Sequence, residues 1–182
     1  MKLAISQRIM YLNGRSYDAT DHGWYTLLAG HHTSFIANTL NQDFDLIADS
    51  CDSFIISGGD DSALRRSVEL KLASKMIQRN KPVVGICHGA FLLAEMLGGT
   101  IEEIKNHSGV DHLIFYHREV REVNSYHNLG IISLPEKTNI ICRDYSGNIE
   151  AFIDGNIAGI VWHPERMENP WIPPEIAYML KI

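Results

Sequence analysis

The run Val83-Val84-Gly85-Ile86-Cys87-His88-Gly89-Ala90-Phe91 constrains the fold more than any other stretch of this chain. Its first four residues do not alternate with polar ones. They read as a strand buried on both faces, the habit of a parallel sheet covered by helices. Leu92, Leu93, Ala94, Met96 and Leu97 continue as an apolar, helix-forming segment. Between strand and helix stands a Gly-x-Cys-x-Gly turn too short to be a loop. Gly85 and Gly89 are the small neighbours that let a backbone fold so tightly. The cysteine at the apex is therefore expected at the carboxyl edge of the sheet. The N–H groups and dipole of the following helix N-terminus favour a thiolate and a developing oxyanion there.

Upstream of this elbow, strand-like and helix-like segments alternate. Residues 2–5, 34–37 and 54–57 read as strands, the last ending in Gly58-Gly59. Residues 17–30 read as a helix, with apolar spacing at Trp24, Leu27 and Leu28 and with Asp18 or Thr20 as caps. Residues 41–48 and 62–79 read as further helices, with Asp60 and Asp61 as a cap and a solvated first-turn charge. Downstream the character changes. Residues 117–124, 130–134 and 159–162 read as strands, 139–145 pairs with 148–153 across Ser146-Gly147, and 175–181 is a short helix after Pro173-Pro174. The pattern predicts one α/β domain over residues 1–182, a three-layer α/β/α arrangement on a mainly parallel, flavodoxin-like sheet. With 182 residues, 45% of them hydrophobic, one such domain can fill its core.

The bulk properties exclude several roles. The net charge of −6 and the lack of a basic stripe argue against a nucleic-acid partner. The apolar run at the N-terminus is too short for a signal peptide and is interrupted by Arg8, and no run approaches membrane-spanning length. Cys51, Cys87 and Cys142 lie far apart without a CxxC spacing, so the reducing cytoplasm is the expected compartment. No two of the nine histidines stand at i, i+4 beside a carboxylate, and neither a metal nor another cofactor is expected. The spacing of five between His107, His112 and His117 does not fit one helical face. These read as surface or supporting residues.

A thiol needs a base, and the base needs a group to orient it. His88 adjoins Cys87 but points away from it. His163 is better placed, at the end of a strand, with Pro164 stiffening the turn and Glu165 able to bring its carboxylate back to the imidazole. The His88 N–H then serves an oxyanion, and Gly58-Gly59 offers a second close-approaching amide. Taken singly, Cys87 also reads as a buried structural thiol, and Gly58-Gly59 as an ordinary strand-end turn.

The set Ser57-Gly58-Gly59-Asp60, Gly85-Ile86-Cys87-His88-Gly89, Leu97-Gly98-Gly99, Val123-Asn124-Ser125-Tyr126-His127 and Trp162-His163-Pro164-Glu165 resembles the class I glutamine amidotransferase superfamily. The Asn-Ser-x-His element is most similar to its γ-glutamyl hydrolase branch, peptidase family C26; Arg8, Asp18, Asp21 and Trp24 fit that branch more loosely. The resemblance implies a Cys-His-Glu triad that cleaves a γ-glutamyl amide through a γ-glutamyl thioester. Cys87 is then the nucleophile, His163 the base and Glu165 its orienter. Gly59 and His88 supply oxyanion amides, and Gly58, Asn124, Ser125, Tyr126 and His127 lie on substrate-holding segments. Relatives commonly carry glutamine where this chain has Phe91, which shifts weight from free glutamine towards a larger γ-glutamyl compound. A narrower resemblance, through the opening Ile5-Ser6-Gln7-Arg8, is to γ-glutamyl-CDP-amidate hydrolases of capsule phosphoramidate pathways. The alternatives are a glutaminase subunit that feeds ammonia to a separate synthase and a non-catalytic or redox-sensing relative. A small-molecule substrate is expected, and a homodimer or a synthase partner stays open.

Overall fold

The computed structural model describes residues 1–105 and 107–182. Strand β1 (Lys2–Ser6) leads into a hairpin of β2 (Arg8–Leu12) and β3 (Arg15–Ala19), then helix α1 (Gly23–Leu27) and β4 (His32–Ile36). Helix α2 (Phe44–Ser50), β5 (Ser53–Ile56), α3 (Ala63–Gln78), β6 (Val83–Ile86) and α4 (His88–Met96) follow in alternation. The second half contributes β7 (Thr100–Glu103), β8 (Val110–Tyr116), β9 (Glu119–Ser125), β10 (Leu129–Ser133), β11 (Asn139–Asp144), β12 (Ile149–Asp154) and β13 (Ile157–Ile160). A 3₁₀ turn, Pro164–Arg166, and α5 (Pro174–Leu180) close the fold.

The main sheet runs β4-β1-β5-β6-β13-β12-β11-β8-β9, with β10 and β7 attached beside β12. Its five strands from the β4 edge to β13 are parallel, and every pairing beyond them is antiparallel. The parallel part is the helix-flanked α/β core predicted from the alternating segments. Strands β5, β6 and β13 are buried along their whole length, which is why their sequences run apolar without alternation. Ile56 faces Gly85 across the β5–β6 pair and Ile160 faces Ile86 across the β13–β6 pair. Three neighbouring strands therefore end together, and the residues just past their carboxyl ends meet at one edge: Gly58-Gly59, Cys87 and His163.

Several local expectations are corrected. The segment 17–30 is not one helix, because the first part of it belongs to the β2–β3 hairpin. The turn of that hairpin is Asn13-Gly14, both at positive φ (51° and 73°), an Asn-Gly pair suited to a tight two-residue hairpin. The long helix α3 is capped by Ser62, whose hydroxyl accepts from the Arg65 N–H at 3.3 Å, and not by Asp60 or Asp61. Asp43 likewise caps α2, accepting from Leu46 N–H at 3.0 Å, so that helix starts later than expected. Strands β7 and β8 escape a reading by periodicity because both stay largely exposed. Among the described residues, no helix is long and apolar enough to cross a membrane.

Candidate active site

The elbow is built as its glycines require. Cys87 takes φ 49° and ψ −104°, a strained conformation for a residue with a side chain. A Cβ on Gly85 would stand 2.2 Å from the Gly89 carbonyl group, and one on Gly89 would stand 2.2 Å from the Ile56 oxygen. The strand, the turn and the next helix are thus pressed together, and Cys87 N–H donates to the Ile160 carbonyl of β13 at 2.8 Å. Burial pushes the Cys87 thiol up to about 12; the His88 N–H pulls it down, and the Glu165 carboxylate adds to the rise. Desolvation thus outweighs the single amide and raises the thiol above its ordinary value. A thiol so held would need a base to take its proton before it could act as a nucleophile.

His163, 2% exposed, lies in the same cleft. Its Nδ1 meets Glu165 Oε1 at 2.7 Å. With Nδ1–H donating to the carboxylate, Nε2 is left as the acceptor. The imidazole lies against Gly58, where a Cβ would fall 2.3 Å from its Cε1. Asn124 clamps its backbone from both sides: Asn124 Nδ2 donates to the His163 carbonyl at 2.8 Å, and His163 N–H donates to Asn124 Oδ1 at 2.8 Å. Glu165 is held in the 3₁₀ turn against the start of α1, so tightly that a Cβ on Gly23 would overlap the Glu165 carbonyl oxygen.

Behind the elbow runs a buried polar network that the sequence reading missed. Arg65 and Glu69, both 0% exposed, pair at 2.8 Å. The Arg65 guanidinium also donates to the carbonyls of Ser57, Gly58 and Asp60, fixing the segment that carries Gly59. Glu69 accepts from Ser6 Oγ at 2.7 Å and meets His88 Nε2 at 2.7 Å. Burial raises the Glu69 pKa, but His88 and Arg65 outweigh it and keep the carboxyl below its ordinary value. The His88 side chain thus points away from Cys87. The signal was present in α3: Arg65 and Glu69 fall in phase with the core residues Leu72 and Met76.

The cleft, about 190 Å³, is lined by Arg8, Gly59, Cys87, Tyr126, His163 and Arg166 among others. Asp21 ties its two cations together, accepting from Arg8 Nη2 at 3.2 Å and from Arg166 Nε at 3.1 Å. Burial raises the Asp21 pKa, but the Gly23 N–H and the two guanidiniums hold it below the ordinary value. Arg166, absent from the sequence expectations, lies 4.9 Å over the Tyr126 ring. An adjoining cavity of about 280 Å³ extends past Cys87 to Phe91, Tyr126 and His127. Phe91 meets His127 edge-on, ring centres 5.6 Å apart. A larger cavity, about 660 Å³, lies beyond Tyr126 and Arg166 and takes in Arg121 and Trp171.

Cys87, His163, Glu165, Gly58, Gly59, the His88 backbone, Tyr126 and His127 thus gather around one cleft. Ser125 does not join them, since its hydroxyl donates to the His107 carbonyl. Asn124 acts on His163, with both amide atoms occupied by the backbone. His117 is exposed and pairs with Glu175 at 3.2 Å, whereas His107 and His112 are drawn inward towards His127 and Glu150. Among the described residues, His107, His127 and Glu150 stand close enough together to hold a metal ion. Trp171 stacks on Trp162, ring centres 5.3 Å apart, and serves both as a C-terminal strap and as a cavity wall.

Comparison with known proteins agrees with this architecture. Residues 27–174 match the class-I glutamine amidotransferase family. The chain is 33% identical over 135 residues to a γ-glutamyl-CDP-amidate hydrolase of Campylobacter jejuni, covering 68% of this chain and 67% of that protein. It is 28% identical over 121 residues to a glutamine-hydrolysing GMP synthase of Staphylococcus saprophyticus, covering 61% of this chain but only 23% of that protein. A crystal structure of a glutamine amidotransferase from Thermotoga maritima superposes with a TM-score of 0.70 at 15% identity, over 90% of this chain and 76% of the other, a likeness of fold.

Proposed function

Because the chain belongs to the class-I glutamine amidotransferase family and is an amide hydrolase with it, we propose that it cleaves a γ-glutamyl amide with Cys87 as nucleophile, His163 as base and Glu165 as orienter. The observation that carries this is the His163 Nδ1–Glu165 pair at 2.7 Å beside the elbow cysteine. Sγ attacks the γ-carbonyl carbon while its proton passes to His163 Nε2. The oxygen becomes an oxyanion that accepts from the His88 and Gly59 N–H groups. Collapse breaks the C–N bond, and the proton on His163 leaves with the amine. Water then attacks the thioester, giving its proton to His163. The thiolate departs, is reprotonated, and glutamate is released. Arg8 and Arg166 bring guanidinium donors to the cleft beside Asp21 and Asp60, where they can bond an anionic group of the substrate.

The substrate we favour is a γ-glutamyl phosphoramidate of the CDP-amidate kind. The named Campylobacter jejuni relative supports it, as do the guanidiniums and the larger cavity beside Tyr126. Phe91 supports it too: an apolar wall offers free glutamine no polar anchor, whereas a conjugate adds contacts through its leaving group. The second reading is a glutaminase that supplies ammonia to a synthase, favoured by the glutamine-hydrolysing GMP synthase relative. We assign the activity to the reducing cytoplasm, in keeping with three free thiols. The test compares kcat/KM for glutamine, γ-glutamyl amines and γ-glutamyl phosphoramidates. We expect the conjugates to be used at least about 10-fold better, the scale of 1.4 kcal/mol in differential transition-state binding. Equal or better use of glutamine, raised by a synthase, would overturn this choice in favour of ammonia supply.

A further inference from the structure

Behind the wall of the cleft, elements far apart in sequence bring three imidazoles to one carboxylate. His107 precedes β8, His112 lies on β8, His127 follows β9, and Glu150 lies on β12. Glu150 is 1% exposed and His127 is 6% exposed. His127 Nδ1 donates to the Leu129 carbonyl at 2.7 Å, which leaves Nε2 with a free lone pair. That Nε2 has no hydrogen-bond partner among the described residues, and neither has His107 Nε2 nor Glu150 Oε2.

The donors stand beyond hydrogen-bond distance yet close enough to converge on one ion. His107 Nε2 stands 3.6 Å from Glu150 Oε1, and one donor atom each from His107, His127 and Glu150 lie within 4.8 Å of one another. Bonds of roughly 2.1 Å at a tetrahedral centre set their donors about 3.4 Å apart. A carboxylate this deep also needs a cation, and no lysine or arginine reaches Glu150 among the described residues. Asp144 adds a second buried carboxylate 3.9 Å from His107 Nε2.

We propose that His107, His127 and Glu150 form a binding site for one divalent transition-metal ion of the zinc class. Two imidazoles and one carboxylate suit a borderline ion better than magnesium or calcium, which prefer all-oxygen sites. The Leu129 carbonyl fixes the His127 tautomer, as outer partners of metal-bound histidines do. His112, 3.5 Å from Glu150 Oε2, is a positioning residue on the other carboxylate oxygen. The ion is structural in role. It ties the segment before β8 to β12 and to the turn that carries Tyr126 and His127, and so stiffens one wall of the cleft against Phe91.

The test uses the full chain without an affinity tag, stripped with a chelator and titrated with zinc chloride or cobalt chloride. We expect one equivalent of zinc to survive gel filtration and to raise Tm, with the rise reversed by chelator. Bound cobalt should show the intense visible bands of a four- or five-coordinate ion. His107→Ala removes a partly exposed ligand and should keep the native circular dichroism while weakening zinc at least about 100-fold. Glu150→Gln should do the same, and His112→Ala should weaken zinc roughly 10–100-fold while keeping the stoichiometry. Absence of stoichiometric zinc in the wild-type protein would overturn the site, and a protonated His107 would then balance Glu150. Wild-type zinc affinity in His107→Ala or Glu150→Gln, or cobalt with the weak spectrum of its six-coordinate aqua ion, would overturn it as well.

Discussion

At the scale of the residue, the proposed chemistry hangs on one buried thiol. Burial pushes the Cys87 thiol up to about 12. A raised acid pKa favours the protonated form in the fold. That contribution to stability is complete below the ordinary thiol value of about 8.5 and is lost as pH rises towards the folded value. Alkylation of Cys87 by iodoacetamide should therefore titrate with a midpoint above pH ~9, read by peptide mass spectrometry. A midpoint below pH ~7 would mean that a thiolate–imidazolium pair already exists at rest. Cys87→Ala should abolish turnover while leaving the fold intact. His163→Asn should lower kcat by about 10²–10⁴-fold, the range of general base catalysis, and Glu165→Gln should lower it less. Steady-state rates decide this, and near-normal activity in Cys87→Ala would remove the nucleophile assignment. Gly58→Ala tests the packing, since its Cβ would press on His163 Cε1 from 2.3 Å. We expect a folded protein with kcat down at least about 10-fold, by displacement of the imidazole; unchanged kcat would mean the ring has room to move.

At the scale of the element, α3 does more than cover the sheet. Its Arg65–Glu69 pair replaces two apolar positions of the stripe and anchors both Gly58-Gly59 and His88. Removing one partner leaves the other buried and unpaired. Glu69→Ala should cost about 3–5 kcal/mol, measured as a lower denaturant midpoint at unchanged slope. A loss below ~1 kcal/mol would mean that water replaces the carboxylate. The elbow, the β11–β12 hairpin and the helix 62–79 were legible in the sequence, because glycine crowding, a Ser-Gly turn and apolar phase are local signals. The β2–β3 hairpin carried an equally local signal in Asn13-Gly14 that the helical spacing around Trp24 obscured. Strand β8 had none, since its exposure pattern comes from its place near the sheet edge.

At the scale of the molecule, the parallel half carries the elbow and the antiparallel half supplies the walls. The C-terminal strap joins the two. Ile176 and Leu180 are buried, and Trp171 stacks on Trp162 just before His163. Each buried side chain of this kind contributes about 1.5–3 kcal/mol. Truncation after Pro170 should lower stability by at least ~3 kcal/mol and reduce activity with it, followed by thermal unfolding and glutamate release together. A truncated protein with the wild-type Tm would show the strap to be a surface ornament.

The sequence by itself determined the strand–turn–helix at Cys87, the helix-covered parallel core and the pairing of His163 with Glu165, since each rests on residues that are neighbours in the chain. Tertiary structure alone decided that Asn124 clamps His163, that Arg166 and Arg8 meet at Asp21, and that Arg65 reaches Gly58. It alone decided that His107, His112, His127 and Glu150 share one buried space. The spacing of five from His107 to His112 fits no helical face, but these residues sit on strands and turns. Their meeting depends on sheet order and register, which bring β8, β11 and β12 side by side and which no local pattern encodes.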